Sequence, residues 1–511
     1  MKENIGNSQR IARNTVMLYL RMLFIMLISL YTSRVVLNTL GVENYGLYNV
    51  IGSFVALFTF INLSIATSVQ RFLTYEIGRN DSERLNLVFN TALFINIVIS
   101  ILLILLGETV GYWFLVEKLS IPTDKLATAI FVYQLSLFAC VFSVFTSTYI
   151  AVIIAYERMA SYAFISMIES LLKLAVVYLL LYLDYDKLKL YALLIFAIQI
   201  IILLLYVSYC SLKFTTIRFS ISFNKSTFMR MFGFSMWNVW GTMSYVICTQ
   251  GINILLNIFV GPSLNAARAI AVQVQMAIQS FGNNFQQAIN PQITKSYASN
   301  NLQYMHTLIT SSSKYTFYLL LFISLPILLD TNLVLTWWLK IVPDHTVWFV
   351  RLMIVVSFIA CTANPVMIAA LSTGKIRLFQ IIDSLILFLL FPASYILLTA
   401  KYPPELIFVL NILVECLMFI ARIIIIFPQI NMSWKKYLYD AIFPILLVTI
   451  ISVTIPIILS FYFSSSILGF TLLSLISFFS VGGGVYFLGL KQIEKELLQK
   501  QVLHFLKVSF K

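Results

Sequence analysis

The sequence predicts an all-α polytopic membrane protein of about 14 transmembrane helices, arranged as two six-helix lobes plus two extra C-terminal helices. Three observations predict it. Of 511 residues 60% are hydrophobic and 11% charged, and the mean hydropathy of +0.93 lies well outside the range of a soluble core. Apolar segments of roughly 20 residues, each long enough to cross a bilayer, recur along the whole chain. The chain also echoes itself at an offset of 220 residues.

Spans are expected near 12–38, 45–70, 86–113, 125–153, 159–183, 189–212, 231–258, 265–290, 307–330, 345–371, 377–400, 405–428, 438–461 and 467–490. The first is too long, with the wrong flanks, for a cleaved signal peptide, and is expected to stay in the mature protein. Placing the N-terminus in the cytoplasm puts Arg10, Arg13, Arg71, Arg79, Arg84, Lys213, Arg218, Lys435, Lys436 and the C-terminal tail on the inner side. The positive-inside rule favours that orientation by roughly three to one, so the net charge of +14 is mainly a topology signal.

Several function classes are excluded. The basic residues are scattered over short loops with no aromatic groove, which argues against nucleic acid as a partner. The five cysteines (Cys140, Cys210, Cys248, Cys361, Cys416) are odd in number and lie in or beside apolar spans, so no disulfide framework is expected. His306, His345 and His504 stand in three separate segments without neighbouring ligands, and no metal site is expected. A glycine-rich phosphate loop is missing, so neither ATP hydrolysis nor a bound cofactor is anticipated.

The echo pairs Leu40-Gly41 with Val260-Gly261, Thr74 with Thr294, Asn80 with Asn300 and Asp124 with Asp344; after a shortened loop Glu169-Ser170-Leu171 answers Asp383-Ser384-Leu385. An even number of spans per half keeps both halves in one orientation. The expected organisation is an N-lobe at 1–212 (spans one to six), a basic cytoplasmic linker at 213–230, a C-lobe at 231–430 (spans seven to twelve), the last two spans at 431–490, and a cytoplasmic tail at 491–511. That tail sets Ile493, Leu497, Leu498, Val502 and Phe505 among lysines, the pattern of an interfacial helix on anionic lipid, with a frayed end as the alternative.

The eighth span carries a polar stripe: Arg268, Gln275, Gln279, Asn283, Gln286 and Asn290 recur at helical spacing on one side, opposite Ile270, Val274, Phe281 and Phe285. Such a stripe in lipid lines a water-filled cavity or bonds a neighbouring helix. Asn238 and Asn253 extend a polar face on the seventh span. The corresponding positions one repeat earlier (Tyr48, Val55, Thr59, Leu63) hold no charge or amide, so the wet wall is expected on the C-terminal lobe.

Charges at membrane depth cost about 2.5 to 3.5 kcal/mol each and should face the interior or a partner. Glu169 and Lys173 stand four apart in the order favourable for a helical ion pair, and Glu415 and Arg422 stand seven apart. Asp383 is alone in its span. Glu169, Asp383, Glu415 and Arg422 are candidates for gating or for coupling to a proton or sodium gradient. Arg21, Lys173 and Arg268 are candidate cavity cations, suited to a diphosphate through charge-assisted hydrogen bonds, while Asn and Gln suit hydroxyl-rich sugars.

The runs Ser33-Arg34-Val35-Val36-Leu37-Asn38-Thr39-Leu40-Gly41, Tyr45-Gly46-Leu47-Tyr48 and Gln70-Arg71-Phe72-Leu73-Thr74 resemble the amino-terminal pattern of bacterial polysaccharide flippases, the O-antigen translocase branch of the multidrug and oligosaccharidyl-lipid exporter superfamily. Asn265-Ala266-Ala267-Arg268-Ala269-Ile270-Ala271 and Asn290-Pro291-Gln292-Ile293-Thr294-Lys295-Ser296-Tyr297 resemble the start of that family's second lobe. Asn62-Leu63-Ser64 departs from the pattern where many relatives carry a glycine. The resemblance implies a V-shaped pair of lobes and alternating access. It implies carriage of an undecaprenyl-diphosphate-linked oligosaccharide from the inner to the outer leaflet of the bacterial cytoplasmic membrane, for O-antigen, lipopolysaccharide, capsule or exopolysaccharide synthesis. Its cationic cavity carries over to Arg268, and to Arg21 and Lys173. The partners implied are the lipid-linked oligosaccharide, membrane lipid, and polysaccharide polymerase and chain-length proteins. Two rivals stay open: a cation or drug antiporter of the same superfamily, which would want an acidic cavity, and a membrane oligosaccharide polymerase or ligase, which would want a larger external loop.

Overall fold

The computed structural model describes residues 2–56, 59–117, 125–182, 186–220, 224–259, 262–339, 342–462, 466–492 and 494–496. The described residues are almost entirely helical and include no strand, as expected in a medium where only internal hydrogen bonding satisfies the backbone. Asp124, Val260, Gly261, Ile493 and the tail from 497 lie outside the described residues, so most of the anticipated interfacial tail does too.

The residues group into two compact units. The first holds α1 (Lys2–Ala56), α2 (Thr59–Gly78), α3 (Ser82–Leu106), α4 (Tyr112–Glu117), α5 (Leu126–Ala155), α6 (Met159–Tyr182) and α7 (Lys187–Lys213). Two long helices, α8 (Lys225–Phe259) and α9 (Pro262–Ala298), are shared: the first unit takes α8 up to Met243 and α9 from Gln287. The second unit takes the rest of both, with α10 (Leu302–Leu329), α11 (Thr331–Leu339), α12 (Thr346–Thr373), most of α13 (Arg377–Phe388), α14 (Leu390–Thr399), α15 (Glu405–Ile426), α16 (Trp434–Tyr437), α17 (Phe443–Ser460) and α18 (Ile467–Gly484).

Eleven helical segments among the described residues are long and apolar enough to cross a membrane. The more polar α2, α8 and α9, where further spans are expected from the sequence, are 20, 35 and 37 residues long but do not reach that apolarity. One boundary differs from expectation. The sequence predicts a break between spans near residues 39–44, whereas α1 runs unbroken from Lys2 to Ala56. No proline interrupts it, and Gly41 and Gly46 together cost only about 2 kcal/mol relative to Ala, less than exposing unpaired peptide groups to lipid.

The repeat is visible in the backbone. Asn80 (φ 56°) and Asn300 (φ 61°), 220 positions apart, both take the left-handed conformation just past the ends of α2 and α9. Their turns carry matching bonds: the Asn80 and Asn300 amides donate to Ile77 O and Tyr297 O, and the Asp81 and Asn301 amides to Glu76 O and Ser296 O. This is a Schellman-type closure with asparagine, which tolerates positive φ, in place of glycine.

In the first unit α5 packs on α7, α2 and α3, and α1 on α6. Buried amides tie the layers, as where Asn96 Nδ2 donates to Thr148 Oγ1 (2.8 Å) and Val144 O (3.2 Å). In the second unit α12 packs on α10 and α15, and α17 with α18 against α10. Its core runs from Leu256 and Ala267 through Leu320 and Phe349 to Met418. The outward sides of α17 and α18 expose Ile450, Ile458, Leu475 and Phe479, a surface suited to lipid.

Candidate functional site

In the second unit, the first turns of α9 bring Arg268 against α8. Its side chain is almost fully buried (5% exposed). Nη1 donates to Asn253 Oδ1, Nη2 donates to Thr249 O (3.3 Å), and Nε is buried without a partner. Among the described residues no carboxylate pairs with it. A guanidinium desolvated this far, held only by neutral acceptors, is an electrostatically incomplete site.

The glutamines of the stripe are placed differently from the arginine. Gln275 Nε2 donates to Met353 O (3.3 Å), and Gln279 Nε2 to Ser357 Oγ (3.1 Å), both on α12. Gln286 is fully buried; it donates to Cys361 O (2.8 Å) and Thr316 Oγ1 (3.2 Å) and accepts from Asn364 Nδ2. These three amides bolt α9 to α10 and α12. Of the other two stripe residues, Asn283 is exposed, and Asn290 is half-buried with its Oδ1 lacking a partner.

A second polar stripe on α9 was missed. Gln273, Ser280 and Gln287 recur at spacings of seven, roughly a third of a turn round the helix from Arg268, and Asn283 lies between the two stripes. Gln273 and Asn283 are exposed, and Ser280 and Gln287 half-buried. This is therefore the uncovered polar side of α9. The signal was in the sequence: Gln273, Ser280 and Gln287 repeat as regularly as the stripe that was read.

Asp383 and Arg422 are brought together from α13 and α15 in a two-pronged pair, Nε to Oδ1 at 2.9 Å and Nη2 to Oδ2 at 2.7 Å. Glu415, seven residues before Arg422, is half-buried and makes no ion pair or hydrogen bond among the described residues. The second unit thus holds a paired acid and cation at Asp383 and Arg422, with Glu415 and Arg268 outside any ion pair among the described residues.

In the first unit Arg21 Nε donates to Ser166 Oγ (2.6 Å), and its guanidinium lies 4.4 Å over the Tyr162 ring. One turn further along α6, Lys173 pairs with Glu169 at 2.6 Å, both partly exposed. Asn238 is buried, its Nδ2 donating to Ser64 O (2.8 Å) and its Oδ1 accepting from Gln380 (3.4 Å). Polar and cationic groups at membrane depth are therefore present in both units. No group of three or more His, Cys, Asp or Glu capable of holding a metal ion occurs among the described residues.

The arrangement can hold an anion at Arg268 and hydroxyl-bearing groups along Gln273, Ser280 and Asn283. Solved structures share its fold. MATE in the bent conformation matches with a TM-score of 0.72 at 12% identity, over 83% of this chain and 96% of that one. An outward-facing multidrug resistance MATE family transporter of the MOP superfamily matches with a TM-score of 0.71, again at 12% identity and over 83% and 96%. A MOP superfamily transporter from Pyrococcus furiosus, described as having a binding pocket of reversed polarity that suggests a different function, matches with a TM-score of 0.67 at 12% identity over 83% and 96%. No curated protein sequence matches significantly. The family model described as polysaccharide biosynthesis protein matches residues 11–297, more than half of the chain. With that match over more than half of its length, the chain belongs to the polysaccharide biosynthesis protein family, and it shares the all-α, multi-pass fold of those solved transporters.

Proposed function

We propose that the chain is a flippase that carries an undecaprenyl-diphosphate-linked oligosaccharide from the inner to the outer leaflet of a bacterial cytoplasmic membrane by alternating access, in surface polysaccharide synthesis. The observation that carries the reading is Arg268: a buried cation with no acidic partner among the described residues and an unmatched Nε. Placing such a group in a membrane is costly, and an anionic head group supplies the missing charge-assisted bonds. The exposed Gln273 and Asn283 on the same helix supply amides for sugar hydroxyls. A cation antiporter would be served by the opposite polarity. The Pyrococcus furiosus transporter's description likewise ties pocket polarity to function within this fold.

Of the three candidate acids, Glu169 and Asp383 are each bonded to a cation, whereas Glu415 faces Arg422 without an ion pair or hydrogen bond among the described residues. Coupling to a proton or sodium gradient is assigned to Glu415 on that ground. The reading is tested in proteoliposomes holding a lipid-linked oligosaccharide, with head-group exposure followed by a lectin. Transfer that Arg268→Met lowers by about tenfold or more supports it; transfer of organic cations without transfer of the lipid-linked sugar contradicts it. The polymerase and chain-length proteins anticipated as partners belong to the same reading.

A further inference from the structure

Glu157, in the turn between α5 and α6, lies outside every stripe and pair considered so far. Its backbone is left-handed (φ 58°), and its side chain is completely buried. Three donors converge on the carboxylate: Arg10 Nε of α1 at 2.8 Å, Gln292 Nε2 of α9 at 2.6 Å and Lys295 Nζ of α9 at 2.5 Å. Asn14 Nδ2 of α1 donates to the Glu157 carbonyl (3.1 Å). The left-handed turn closes α5 in the same way as the turns at Asn80 and Asn300, the Glu157 amide donating to Ile154 O and the Arg158 amide to Ile153 O, so the side chain is set at the helix end where the three donors meet it.

The same end of α9 meets the end of α2. A Cβ on Gly78 would lie 2.8 Å from Ala298 Cβ and 2.9 Å from the Lys295 backbone, and the rings of Tyr75 and Tyr297 stand 6.4 Å apart. Two turns earlier on α2, Arg71 reaches the α12–α13 turn at Gly374, also left-handed (φ 77°), where a Cβ would meet its Nη2 at 2.8 Å. Each repeat thus offers a left-handed turn to the end of a helix from the other repeat. Only the turn at Glu157 supplies a carboxylate.

The held segment is preceded by a proline, a natural place for a hinge. Pro291 lies inside α9, cannot donate to Gln287 O, and so weakens the ladder at that point. The membership of α9 changes from the second compact unit to the first at Gln287. Upstream of the hinge are Arg268 and both polar stripes; downstream are Gln292 and Lys295 in the grip of Glu157.

We propose that Glu157 is the keeper of a latch, and that residues 292–298 of α9, hinged at Pro291, release from Glu157 and from the end of α2 once in each transport cycle. Short ionic contacts suit the task because water replaces them as they part, whereas an apolar seal would expose its surface. The proposal rests on the alternating-access reading, and its test does not use the substrate.

Nitroxide labels are placed on Arg79→Cys and Ser299→Cys, exposed positions just past α2 and α9; the native cysteines are buried or half-buried. Distances are measured by pulsed electron resonance in lipid nanodiscs. The otherwise native chain should give one narrow, short population. Glu157→Gln and Lys295→Met should add a longer one, the equilibrium moving on the order of a hundredfold, as loss of one partner from a buried charge pair does. Lys295→Arg, which keeps the charge, should restore the narrow distribution. Unchanged distances in Glu157→Gln and Lys295→Met, with or without a lower melting temperature, would overturn the latch, as would equal broadening in Lys295→Arg. Distances that respond as described in a protein that moves no lipid-linked oligosaccharide leave the latch standing and remove the flippase reading.

Discussion

Arg268 of α9 and Asn253 of α8 are joined side chain to side chain, Nη1 donating to Oδ1, and no carboxylate among the described residues shares the contact. The pair orients a buried guanidinium without neutralising it. Arg268→Met should therefore leave protein level and melting temperature unchanged or raised, since replacing an uncompensated buried charge by an apolar side chain of similar volume is often neutral or stabilising. Transport should fall by about tenfold to a hundredfold, matching the roughly 1.5 to 3 kcal/mol of a lost charged hydrogen bond. Asn253→Ala should cost less, about fivefold. Flipping rates and melting curves on the same preparations check both.

Asp383 and Arg422 make the opposite case. Their side chains are 17% and 11% exposed, so removing one strands the other. Asp383→Asn should lower stability by about 3 to 5 kcal/mol, and the double change Asp383→Leu with Arg422→Met should recover most of it. Glu169→Gln should cost several-fold less, because Glu169 and Lys173 are 25% and 40% exposed. Chemical denaturation in detergent of the four proteins separates these outcomes.

Gln286 and Asn283 distinguish a bolt from a wall. Gln286→Leu strands Cys361 O and the amide of Asn364 and should cost about 1 to 3 kcal/mol in stability, with transport falling only as protein level falls. Asn283→Ala removes an exposed amide with no bond to a neighbouring helix and should leave stability within about 0.5 kcal/mol while slowing transport. Plotting transport per folded molecule for the two variants decides the matter.

Gly78 supplies a test at the helix ends. Glycine to alanine in a helix usually stabilises by about 1 kcal/mol. Here the added methyl would meet Ala298 Cβ and the Lys295 backbone, so Gly78→Ala should destabilise instead and lengthen the distance between labels at positions 79 and 299.

Much of the fold was legible because lipid makes the code simple: long apolar runs can only be helices, and the repeat announced itself at Asn80 and Asn300, where one residue type solves one backbone problem twice. The continuous α1 was not legible, because Gly41 and Gly46 around Glu43 and Asn44 read as a break while the cost of unpaired peptides, which decides the matter, leaves no mark on composition. At the site, periodicity grouped Arg268 with Gln275, Gln279 and Gln286 correctly as one side of a helix. It could not say what that side meets, and α12 takes the three amides. The Glu157 cluster draws on residues 10, 14, 157, 292 and 295, whose proximity follows from tertiary packing alone.

The central claim is that the buried cation at Arg268 serves an anionic, lipid-linked sugar. The most direct measurement is the initial rate of lectin-detected flipping in proteoliposomes for the native chain, Arg268→Lys and Arg268→Met, at equal folded protein. The account predicts transfer by the native chain, partial transfer with lysine, which keeps the charge and loses the fork, and loss with methionine. Equal rates in all three proteins would contradict it.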